Sequence, residues 1–156
     1  MGRLTVLGLG NILMQDDGVG VRLLEAVQPA RPWPAEVEFV DGGAGGLRLM
    51  EVIEEADRLV VLDAADVGLP AGQCRVVRPD QLQEDALPDR VSLHDMSFLE
   101  TLRLCRQFAR CPREVHILAI QPKVVDHGRR LSPELQGAMD RLVDAATRLI
   151  TQVAAR

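Results

Sequence analysis

At 156 residues, with 47% hydrophobic and 26% charged side chains, the chain has the length of one domain and a composition that excludes disorder, collagen-like repeats and a coiled coil. A formal net charge of −5 without a basic cluster, and three Phe, one Trp and no Tyr, exclude the electrostatic footprint and stacking platforms of nucleic-acid binding. No apolar run approaches the roughly 20 residues of a membrane-spanning helix, and the first one ends in Gly8-Leu9-Gly10-Asn11 without a small-residue cleavage site. One domain over 1–156 is therefore expected, cytoplasmic and binding neither membrane nor nucleic acid.

The run Leu4–Leu7 reads as a buried strand ending at Gly8-Leu9-Gly10. Val21, Leu24 and Val27 then recur at helical spacing from about Asp17. Val37–Val40 is a second strand, running into the glycine-rich Asp41-Gly42-Gly43-Ala44-Gly45-Gly46, and a helix follows with Leu47, Met50 and Ile53 on one face. Leu59–Leu62 is a third strand, with Asp63 at its end. After the turn 67–72 comes the short strand Cys74–Val77. That connection is shorter than the dozen or so residues of a parallel crossover, so this strand is expected to be antiparallel and near an edge.

Pro79–Leu93 is a polar loop, long enough to suspect function. It leads into a helix from about Asp95 that carries Leu99, Leu102 and Phe108. Val115–Ile120 is the last strand, stopped by Gln121-Pro122. The final helix has Ser132 as N-cap, Pro133 at its first position and Glu134 in its first turn, followed by an apolar stripe from Leu135 to Val153. The fold class is α/β: a three-layer sandwich with a five-stranded, mostly parallel sheet, one antiparallel strand near an edge, and helices on both faces.

In such sheets ligands bind beyond the carboxyl ends of the strands. Here those ends carry Gly8–Gly18 with Asp16 and Asp17, then Asp41-Gly42-Gly43, and Asp63, while His94 lies at the mouth of the following helix. Convergence of Asp17, Asp63 and His94 would give two carboxylates and one imidazole, a set suited to Zn²⁺, Ni²⁺ or Fe²⁺ with coordination positions left open. Spacing alone leaves alternatives: Asp17 as a residue that caps or begins the first helix, Asp63 as a strand-end turn residue, His94 as a surface histidine. The Asp41–Gly43 glycines either let an extended substrate tail approach or make a tight turn. Gln121-Pro122 either lines the cleft or only ends its strand.

A dinucleotide site is disfavoured. Leu13 stands where GxGxxG needs its third glycine, and Asp16-Asp17 would repel a pyrophosphate at the helix start. No GxSxG elbow is present, and Ser92, Ser97 and Ser132 form no triad pattern. Cys74, Cys105 and Cys111 form no CxxC pair, and their odd number argues against a disulfide framework.

The chain resembles the nickel–iron hydrogenase maturation endopeptidases over nearly its whole length. The resemblance is carried by Gly8-Leu9-Gly10-Asn11-Ile12-Leu13 with Asp16-Asp17-Gly18-Val19-Gly20, Asp41-Gly42-Gly43 with Gly46, Asp63-Ala64, Ser92-Leu93-His94, Ile120-Gln121-Pro122, Gly128 and Leu131-Ser132-Pro133. It implies an endopeptidase that removes a short C-terminal extension from the hydrogenase large-subunit precursor after nickel insertion. It also implies that Asp17, Asp63 and His94 contact the metal and carry the reaction, with Asp16 a substitute for Asp17, whose family counterpart is a glutamate in some members. The metal would be nickel carried by the substrate, without an organic cofactor. A monomer is expected. The alternative from a different class is a non-catalytic metal- or subunit-binding chaperone on the same scaffold.

Overall fold

The computed structural model describes residues 2–43, 45–46, 48–81, 93–108 and 110–156, with 93–97 in their backbone only. The strands are β1 (Leu4–Leu9), β2 (Val37–Gly43), β3 (Arg58–Ala64), β4 (Cys74–Val77) and β5 (Glu114–Ile120). The helices are α1 (Val19–Val27), α2 (Arg48–Glu55), α3 (Leu93–Phe108) and α4 (Pro133–Ala154). The strands form one sheet in the order β2-β1-β3-β5-β4. Every neighbouring pair is parallel except β4 with β5. The expected antiparallel strand is thus at the sheet edge, and β2 forms the other edge.

Both faces of the sheet are covered, which is why β1 and β3 are buried along their whole lengths instead of alternating with polar residues. The pleat divides their side chains. Leu4, Val6, Val60, Leu62, Leu118 and Ile120 pack with α1 and α4. Leu7, Leu9, Leu59, Val61, Val115 and Ile117 pack with α2 and α3, through Leu49, Ile53, Phe98, Leu102 and Cys105. The N-cap reading of α4 holds, since the Ser132 side chain accepts from the Leu135 N–H. At the other end of α4 the buried Arg58 donates to the carbonyls of Val153 (2.7 Å) and Gly2 (2.8 Å). It thereby adds a donor to a helix-end carbonyl that also accepts the Arg156 N–H, at 3.3 Å.

Three boundaries differ from the sequence reading. The segment from Asp17 is first a 3-10 turn, Gln15–Gly18, and the α-helix begins at Val19. Gln15 takes a positive φ of 50°, which breaks the run of helical backbone at that point. Asp41-Gly42-Gly43 is the end of β2 and not a loop beyond it, although the pairing with β1 is irregular there: Gly8 faces Asp41 while Leu9 faces Gly43. Helix α3 begins at Leu93, two residues before the expected Asp95. Of the polar loop between β4 and α3, Pro79–Gln81 is a 3-10 turn, and 82–92 lie outside the described residues.

Candidate active site

The carboxyl ends of the four parallel strands lie along one border of the sheet, because Gly8 pairs with Asp41 and with Leu62, and Asp63 pairs with Ala119. Glycines draw the segment after β1 down onto this border. A Cβ on Gly20 would stand 2.3 Å from the Leu9 carbonyl oxygen and 2.2 Å from that of Leu62, so the start of α1 is wedged between the ends of β1 and β3. At Gly10, where φ is +130°, a Cβ would lie 1.9 Å from the Asp17 carbonyl oxygen. These are approaches that only glycine permits. Gly20→Ala is therefore expected to lower stability by about 3 kcal/mol, at the upper end for an inserted methyl since backbone blocks it on both sides. Thermal unfolding checks this, and a wild-type Tm would contradict the wedge.

Asp17 is held by this arrangement, three residues before Gly20. It is 3% exposed, and its Oδ2 accepts the Asn11 N–H at 2.9 Å. Of the alternative roles of Asp17, that of a helix cap is not realised, since Met14 and Gly18 hold the N-cap positions of the turn and of α1 without a side-chain bond, whereas Asp17 does lie in the turn that begins the helical segment. Asp63 is 2% exposed. It alternates with Leu59 and Val61 along β3, which places it on the face of the sheet covered by α2 and α3. Its Oδ1 is buried with no hydrogen-bond donor among the described residues. A buried carboxylate oxygen in that state is costly unless a cation or proton donor comes to it, so the position suits a partner that arrives with the substrate.

His94 lies in the first turn of α3, on that same face; its side chain is outside the described residues. Among the described residues no three metal-ligating side chains cluster. The fold thus brings Asp17 and Asp63 to one border and the backbone of His94 to the face Asp63 occupies.

Asp16, the substitute ligand in the sequence reading, has another role. Its Oδ2 accepts the N–H groups of Lys123 and Val124, each at 2.9 Å, and its Oδ1 that of Ser132 at 2.7 Å. Fully buried and fully engaged, it ties the turn to the connection between β5 and α4. Gln121 also does more than end a strand: its Oε1 accepts the N–H groups of Val67 (2.8 Å) and Leu69 (3.2 Å), and its Nε2 donates to Asp66. That fixes the segment leaving β3 just after Asp63. Sequence reasoning had no signal for either role, because the partners lie 52 to 116 residues away.

At the end of β2, Asp41 is exposed and its Oδ1 accepts the Gly43 N–H at 2.8 Å, while the Gly43 carbonyl accepts the Gly10 N–H at 2.8 Å. Gly42 has a packing reason: a Cβ there would meet Leu9 at 2.7 Å and Leu7 at 2.8 Å. At Gly43, with φ of +52°, the nearest atom of the described residues to a Cβ would be the Asp41 Oδ1 at 3.9 Å, an ordinary contact.

The known proteins most informative for this arrangement are hydrogenase maturation factors. The family model described as HycI hydrogenase maturation protease matches residues 21–149. The hydrogenase expression/formation protein HupD of Bradyrhizobium diazoefficiens is 36% identical over 151 residues, which are 96% of this chain and 79% of that one. Among solved structures, the hydrogenase maturating endopeptidase HybD from E. coli superposes with a TM-score of 0.83 at 24% identity, covering 97% of this chain and 93% of that one. The [NiFe] hydrogenase maturation protease HybD from Thermococcus kodakarensis gives 0.75 at 25% identity, covering 95% and 99%. The chain belongs to the hydrogenase maturation protease family and is an endopeptidase.

Proposed function

We propose that this endopeptidase removes the C-terminal extension of a nickel-loaded hydrogenase large-subunit precursor, and that Asp17, Asp63 and His94 contact the substrate's metal centre and carry the cleavage. The observation that carries this reading is the buried Asp63 Oδ1, which lacks a donor among the described residues, at the border where Asp17 is held. Two carboxylates and an imidazole complement a nickel ion whose other ligands are substrate thiolates. Reading the substrate's own metal lets the enzyme distinguish loaded from unloaded precursor, which a resident zinc would not. An ion so held also polarises a nearby scissile carbonyl or activates a water. No organic cofactor enters this scheme, and the protein works as a cytoplasmic monomer.

Asp41, Gly42 and Gly43 line the approach of the tail in this reading. β2 is an edge strand ending beside the two acids, and an exposed strand edge can accept an extended peptide. Gly42 contributes by keeping that end packed on β1, and Gly43 by adding no side chain there.

The test is mass spectrometry of a cognate large-subunit precursor after incubation with wild type and with His94→Ala. A product shortened at its C-terminus by wild type, and absent with the variant, is expected. Stable binding without a shortened product would favour the chaperone reading, as would equal processing by wild type and an enzyme-free control.

A further inference from the structure

We propose that Ile12, Leu13, Val124 and Val125 are the specificity-determining docking rim of this enzyme, and that they seat an apolar patch on the body of the precursor beside its scissile segment. The inference rests on the function proposed above and adds the surface by which the client is chosen. These four are 37%, 51%, 39% and 51% exposed, and they make up four of the seven large hydrophobic residues that stand exposed among the described residues. Scattered exposed aliphatics are ordinary on a protein surface, but a gathering of them marks an interaction site.

Their location identifies the occupant. Gly18 passes so close to Ile12 that a Cβ on it would lie 2.7 Å from the Ile12 Cα. On the other side, the Val124 carbonyl accepts the Asp16 N–H at 3.0 Å. The turn carrying Asp17 therefore has one aliphatic pair on each flank. The two segments are laced together as well: Gln15 donates to the Gly128 carbonyl and Gly128 to that of Leu13, both at 2.9 Å. An endopeptidase's substrate is a polypeptide, and this rim flanks the turn that carries Asp17. The rim is thus continuous with the surface the substrate must cover, held rigid by Asp16 and Gly128. Four aliphatics without an aromatic anchor fit an apolar protein surface better than a charged tail.

The experiment is a steady-state cleavage assay on the intact nickel-loaded precursor with Leu13→Ser, Val125→Ser and the double variant. Val76→Ser and Leu104→Ser are the controls, being equally exposed aliphatics elsewhere, on β4 and α3. All four side chains are about half in solvent, so the variants are expected to fold, and a thermal melt verifies it. The rim variants should raise KM about tenfold or more in the double variant, with kcat near wild type and the controls unchanged. Unchanged KM in the rim variants, a fall in kcat alone, or an equal effect of the controls would overturn the proposal. Asp63→Asn in the same assay reports on the underlying function separately. If it retains wild-type kcat, the site reading fails; if it is dead while the rim variants keep wild-type KM, only the rim fails.

Discussion

Asp63→Asn is expected to lower kcat/KM for precursor cleavage by at least about 100-fold, the range seen when one electrostatic contact to a reacting centre is removed, while the protein melts at or above the wild-type temperature. The two outcomes have one cause. Asp63 Oδ1 is buried without a donor among the described residues, so burying that oxygen as part of a carboxylate costs stability in the free enzyme, and an amide of the same shape is easier to bury. A gain of about 1 kcal/mol would raise Tm by roughly 2–4 °C in a protein of this size. Activity measured beside differential scanning calorimetry decides it. Retained cleavage would remove Asp63 from the reaction, and a large fall in Tm would make its carboxylate structural.

Asp16, on the turn beside Asp17, should behave in the opposite way. Asp16→Ala leaves the N–H groups of Lys123, Val124 and Ser132 without their acceptor. The Ser132 donor is buried and the other two are part-buried; an orphaned buried donor costs about 1–3 kcal/mol and a partly exposed one less. A loss of about 3 kcal/mol or more, and a fall in Tm of roughly 10 °C, is therefore expected. Hydrogen exchange should locate the damage at those three amides, and cleavage should weaken because the loosened connection carries Val124 and Val125. Asp16→Asn keeps the shape but replaces one acceptor oxygen with a donor, so an intermediate loss is expected. A Tm for Asp16→Ala within a degree of wild type would contradict the anchoring role. Asp16 and Asp17 are adjacent in sequence and the same residue type, yet one holds the fold and the other is held by it.

That contrast marks how far the sequence could be read. Strand positions, the α4 cap and the antiparallel edge strand were legible because each rests on local signals: apolar runs, Ser132-Pro133, and a connection too short for a crossover. The border on which Asp17 and Asp63 meet followed from the rule that ligands bind at strand carboxyl ends. The roles of Asp16 and Gln121 were not legible, because a carboxylate that accepts backbone N–H groups over a hundred residues away looks identical in sequence to a metal ligand. Asp41–Gly43 was read as a loop because its glycines signal a turn. In the fold they extend the strand, since the missing side chain at Gly42 makes room for Leu7 and Leu9. The family resemblance, carried by the ordered set of short motifs, is what joined these pieces into a protease.

The most direct test of the central claim, that the acids and His94 read the substrate's nickel, compares cleavage of one large-subunit precursor prepared with and without nickel, by metal-free wild type and by His94→Ala. The account predicts a shortened product only from nickel-loaded precursor and only with wild type. Cleavage of nickel-free precursor at the same rate, or full activity of His94→Ala, would contradict it.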